Sequence, residues 1–61
     1  MEKAYILGDG EYPVLARRDV LEMESQYCCT FSGDEVVGKR DAYDMYQVTV
    51  DGVPTLVLTP A

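Results

Sequence analysis

Sixty-one residues carry 11 acidic side chains against 5 basic ones, no histidine and two cysteines, for a net charge of −6. That size makes one small domain, 1–61, whose core scarcely has room to enclose a catalytic pocket. The charge opposes direct contact with nucleic acid or an anionic membrane, while 48% hydrophobic residues, five of them tyrosine, are too many for a disordered acidic tail.

The start, "MEKAYILGDG", lacks a basic stretch leading into a long apolar run, so it does not read as a secretory signal. No segment has the apolar length of a membrane span. With adjacent cysteines poorly placed for an ordinary disulfide, a reducing cytoplasm is the expected setting. Gly8-Asp9-Gly10 then separates two apolar runs. Gly and Asp tolerate the positive φ of tight turns, so a first hairpin is expected here.

Two nearly matching ten-residue segments follow, "VLARRDVLEM" at 14–23 and "VVGKRDAYDM" at 36–45. They predict an internal repeat of one hairpin-and-joint unit. The first joint reads two ways. Leu21, Met23, Ser25, Tyr27, Cys29 and Phe31 alternate with polar neighbours, as in a long half-buried strand. Asp19 followed by Glu22 instead suggests a capping box opening a short helix around 19–27.

Ser32-Gly33-Asp34 lies between "CCTF" and "EVV" and predicts a second hairpin. Asp51-Gly52 predicts a third, with Val50 facing Val53, Val48 facing Thr55 and Tyr46 facing Val57. Both faces of this hairpin are substantially apolar, so neither is expected to be fully solvated. Pro54 lacks an N–H and must sit with that side away from its partner strand, which makes the last strand an edge at its start. The fold class is therefore mainly β: three consecutive hairpins forming a small twisted sheet or partly open barrel, completed by dimerisation. The alternative is α+β, with the helix around 19–27.

Chemistry-bearing patterns are few. Cys28 and Cys29 have no second cysteine pair and no histidine to complete a metal site, and no nearby base to activate a thiol. They read as one core cysteine beside one on the opposite face of a strand. No Gly-rich phosphate loop precedes a helix. Neither a catalytic residue, a metal nor a cofactor is expected. Arg17, Arg18, Lys39 and Arg40 sit at equivalent places in the two repeats and could converge on a nucleotide or phosphate. Asp19 and Asp41, which follow them, favour solvated joints with local ion pairs instead.

Tyrosine suits interfaces because it is amphipathic and rigid. Tyr27 and Tyr46 are expected inside, with Tyr12 and Tyr43 on the surface. Tyr12, Tyr43, Asp44, Glu22 and Glu24 form the expected partner-binding set. The closing run "GVPTLVLTPA" has no charge, and Thr55, Leu56, Val57 and Leu58 are the expected homodimer edge. The sum is a non-catalytic acidic module that occupies the surface of a partner protein, in the manner of a phage or mobile-element inhibitor of a host protein. A ligand-binding protein using the basic joints, or a structural subunit of a larger assembly, are the alternatives.

Overall fold

The computed structural model describes all 61 residues. In chain order come β1 (Lys3–Ile6), β2 (Gly10–Pro13), α1 (Arg17–Leu21), β3 (Ser25–Ser32), a 3-10 turn (Gly33–Glu35), β4 (Val36–Val37), β5 (Ala42–Val50) and β6 (Val53–Pro60). They form two three-stranded antiparallel sheets, ordered β2-β1-β4 and β3-β5-β6. The mainly β expectation holds, and a short helix joins it, at 17–21 rather than 19–27.

The β5–β6 hairpin is the backbone of the molecule. Asp51 and Gly52 take φ values of 51° and 79°, the pair of left-handed residues that a two-residue type I′ turn demands. The turn sets the register, and Val50 faces Val53, Val48 faces Thr55 and Tyr46 faces Val57 as expected. Both faces of this hairpin are covered. Tyr43, Met45 and Leu58 point to one side and pack with Ala4, Ile6 and Val14 of the first sheet region. Val48 and Val57 point to the other and close over Val20 of α1. The chain is thus layered: helix, sheet, sheet.

Helix α1 has five residues and no side-chain cap at Ala16. So short a helix has little stability of its own. Val20, fully buried against Val48 and Val57, holds it down. That burial is worth roughly 1.5–3 kcal/mol. The capping box expected at Asp19–Glu22 does not form, because the helix begins before Asp19 and leaves it in the first turn. A capping box does form at Ser32–Glu35, where the 3-10 turn replaces the expected second hairpin. Strand β3 does not pair with β4. It pairs with β5, while β4 crosses to β1.

The repeat has no structural counterpart. Segment 14–23 becomes a bridge residue and a helix; segment 36–45 becomes a two-residue strand, a loop and the start of β5. The first copy buries Val14 and Val20, and the second buries Tyr43 and Met45 at strand spacing. The expected single alternation through 21–31 also fails. Register shifts by one between Tyr27 and Cys29, leaving Cys28 as a β-bulge. Tyr27 therefore faces the helix side opposite Tyr46, while Cys29 and Phe31 face the first sheet opposite Met45 and Tyr43.

The sheets are joined on one side by a parallel bridge between Val14 and Leu58, with Leu15 N–H donating to the Leu58 carbonyl at 2.8 Å. On the other side β3 and β4 run into each other through the 3-10 turn without pairing, so no closed barrel forms. The accessible surface is 4058 Å². A folded monomer of this mass exposes about 4,000 Å², so the chain is as compact as a self-sufficient one.

Candidate functional site

Five side chains from three elements meet on the helix side of the β3-β5-β6 sheet. Asp44 of β5 is the centre. Its Oδ2 accepts from the Arg17 guanidinium of α1 at 2.6 Å, and its Oδ1 accepts from Thr30 Oγ1 of β3 at 2.6 Å. Thr30 Oγ1 lies 2.7 Å from the Tyr27 hydroxyl, and the Tyr27 ring meets Tyr46 edge to face at 5.7 Å. The β5 register places Asp44 and Tyr46 on one face, and the bulge at Cys28 brings Tyr27 to that face with Thr30. Without the extra residue, Tyr27 and Thr30 would lie on opposite sides of the strand.

Asp44 is the enclosed member of this chain of contacts, and both ends are exposed. The Asp44 side chain is 14% exposed, Arg17 51%, and Tyr27 53%. Both Asp44 oxygens are engaged, so it is a holding group and not a free base. Thr30 holds the Tyr27 hydroxyl and Tyr46 meets its ring, and an aromatic side chain with few rotatable bonds loses little entropy on binding. Leu21, Val50 and Val53 add further exposed apolar surface on α1 and the hairpin end. Glu22 and Glu24, between α1 and β3, are exposed as expected.

Other expected site residues fall elsewhere. Tyr43 is completely buried in the core, so it is not a surface recognition residue: Gly38 leaves room for its ring, and its hydroxyl accepts the Arg40 N–H at 3.1 Å. Tyr27 and Tyr43 thus exchange the places expected of them, because the bulge moved one and the strand phase of β5 took in the other. Tyr46 and Tyr12 are half-buried, and the Tyr12 hydroxyl donates to Asp9 at 2.9 Å. That bond, with slight burial and the charge of Asp9, raises the Tyr12 pKa.

The basic joints do not share a contact. Arg17 and Arg18 lie in α1, Lys39 and Arg40 in the link from β4 to β5, and no hydrogen bond or ion pair joins the two groups. Arg17 is already committed to Asp44. Cys29 packs beside the first core and Cys28 is exposed. The Cys29 thiol is pushed up by burial first, then by Cys28, Asp9 and Glu35. An open polar hollow of about 150 Å³ lies between Glu24, Ser25, Gln26, Gln47 and Thr49, with no apolar side chain in its lining.

The expected dimer edge is also altered. The Val50–Val53 pair closes the turn with mutual hydrogen bonds, so Val53, Thr55, Val57 and Thr59 bond inward to β5. Pro54, Leu56, Leu58 and Pro60 face outward. Two of these have no N–H, and the Leu58 carbonyl is taken by Leu15. Val57 and Leu58 are buried in the protein's own cores. Of the expected edge set 55–58, Leu56 alone keeps both outward backbone groups and an exposed side chain.

Thr30 and the Ser32–Glu35 cap were not singled out in the sequence. The cap carries the S-x-x-E signature and was legible there. Thr30 was not, because its role depends on the bulge. No helix is long and apolar enough to cross a membrane. No protein-family model, no curated protein and no solved structure matches this chain.

Proposed function

We propose that this protein is a non-catalytic interaction module that binds another protein through the Tyr27 face of its β3-β5-β6 sheet. One observation carries the reading: a half-exposed tyrosine is tied by a continuous chain of hydrogen bonds through Thr30 and Asp44 to Arg17. The apolar side chains of Leu21, Val50 and Val53 extend the face, and Glu22 and Glu24 give it an acidic border. An aromatic anchor with a charged rim is the usual anatomy of a protein-binding patch. The acidic border favours a partner with a basic surface. Small size and a net charge of −6 fit an inhibitor carried by a phage or mobile element and directed at a host protein.

Affinity capture from lysate tests the reading, with the intact chain and a Tyr27→Ala, Leu21→Ala variant as paired baits at low and high salt. The expected result is a partner retained by the intact chain and lost by the variant, with both baits showing the same circular dichroism. Retention of the same proteins by both baits overturns the reading.

A further inference from the structure

The β3-β5-β6 sheet has two edges, and they are built differently. On the β6 edge, proline occupies two outward positions and Leu15 a third. On the β3 edge nothing comparable intervenes. β3 bonds to β5 through Gln26, Cys29 and Phe31, and the flanking bonds from Thr49 to Glu24 and from Gly33 to Asp41 continue the same alternation. Ser25, Tyr27, Thr30 and Ser32 therefore aim their backbone groups outward, away from the one strand β3 pairs with. The Ser32 N–H is the one outward donor in use, weakly, on Glu35 Oε1 at 3.4 Å.

We infer that two copies of this chain associate along β3, antiparallel about a two-fold axis passing between Cys28 and Cys29. Three features of the strand converge on this register. First, "SQYCCTFS" is uncharged from Ser25 to Ser32, in a chain of net charge −6 whose copies otherwise repel. Secondly, the segment is symmetric at its ends and its centre: serine closes it on each side and the cysteine pair is its middle. Thirdly, the bulge matches the hydrogen-bonding phases. In a regular strand outward groups share one parity, and self-pairing must centre on a residue. The extra residue at Cys28 makes the outward groups odd before it and even after it. Centring between Cys28 and Cys29 then sets Tyr27 opposite Thr30 of the second copy and Ser25 opposite Ser32, outward group to outward group.

Each Tyr27–Thr30 pair exchanges both of its N–H···O bonds, and the two β3-β5-β6 sheets become one continuous sheet. The Tyr27 faces of both copies then lie side by side. An interface one strand wide is small, so association is weak, on the order of 10–100 μM. Salt strengthens it, since screening reduces repulsion between two acidic bodies while the uncharged edge gains nothing from low salt. The inference concerns the chain alone and stands whether or not the partner reading does.

Analytical ultracentrifugation of the full chain from about 1 μM to 1 mM, at low and high salt, tests it. The expected result is a monomer–dimer equilibrium that tightens with salt. Cys28→Lys sets like charges at the axis, and it should weaken the dimer at least tenfold with an unchanged melting curve. Leu56→Lys, on the opposite edge, should leave the dimer intact. Diamide, which takes up the two hydrogens of a thiol pair, should cross-link the intact chain and not Cys28→Ser. Isotope-filtered NMR on mixed labelled and unlabelled wild-type chain should show contacts between Tyr27 and Thr30 of different copies, which keeps the test independent of any variant's folding. A strict monomer at 1 mM in high salt, or a dimer broken by Leu56→Lys and not by Cys28→Lys, overturns the inference.

Discussion

Arg17 and Asp44, twenty-seven residues apart in the chain, meet through a 2.6 Å contact that ties α1 to the β3-β5-β6 sheet. The pair is unequal. Arg17 is half exposed and Asp44 nearly enclosed, with Thr30 on its second oxygen. Arg17→Ala should therefore cost about 1 kcal/mol, since the exposed partner is screened by solvent. Asp44→Ala should cost somewhat more, about 1–2 kcal/mol, because it removes the Thr30 hydrogen bond together with the guanidinium contact. Chemical denaturation of the two single variants and the double variant checks this. A coupling energy near zero would show that the contact contributes nothing to folding.

Gly38 has no room for a side chain. A Cβ there would stand 2.9 Å from the Tyr43 hydroxyl and 3.0 Å from Ala4 Cβ. Tyr43 is fully buried and its hydroxyl holds the Arg40 N–H, so the ring cannot swing aside at little cost. Gly38→Ala should destabilise by about 1–3 kcal/mol through overpacking. Tyr43→Phe should lose about 1 kcal/mol with its one hydrogen bond. Thermal melts of both variants measure the effect, and an unshifted Gly38→Ala would contradict the packing described.

Thr59 is buried with its Oγ1 unpartnered. Replacing that hydroxyl by a methyl of nearly the same size removes a desolvated polar atom without opening a cavity. Thr59→Val should be neutral or stabilise by about 1 kcal/mol. A loss of stability on denaturant titration would mean that the hydroxyl has a partner.

The two thiols should differ in reactivity. Cys28 is exposed, whereas burial, the adjacent Cys28 thiol and the carboxylates of Asp9 and Glu35 raise the Cys29 pKa. Alkylation near pH 8, mapped by mass spectrometry, should label Cys28 first and Cys29 only as the fold opens. The raised pKa also has a stability consequence. The folded chain holds the Cys29 proton more tightly than the unfolded chain does. Stability from this source is complete below the ordinary thiol pKa and is lost as pH rises through the folded value. The raised Tyr12 pKa acts with the same sign at somewhat higher pH. Melting temperature should fall from about pH 9 upward, and a rise over that range would reverse the assignment.

The sequence by itself determined the β5–β6 hairpin, because a two-residue Asp51-Gly52 turn admits one register and every pair from Val50–Val53 to Tyr46–Val57 follows from it. It also announced that both faces of that hairpin would be covered, and it located the first hairpin. These are local matters of turn chemistry and alternation. Tertiary structure alone decided the fate of the two matching segments. Val20 found a gap above Val48 and Val57 and took its segment into a helix; Tyr43 and Met45 found the facing first sheet and took theirs into a strand. It likewise placed the bulge at Cys28, which set Tyr27 beside Thr30 and Asp44 and turned the strand's outward groups about a centre. Two similar ten-residue segments took two shapes because the partners that bury them lie far away in the chain, and only the packed molecule says which residue meets which.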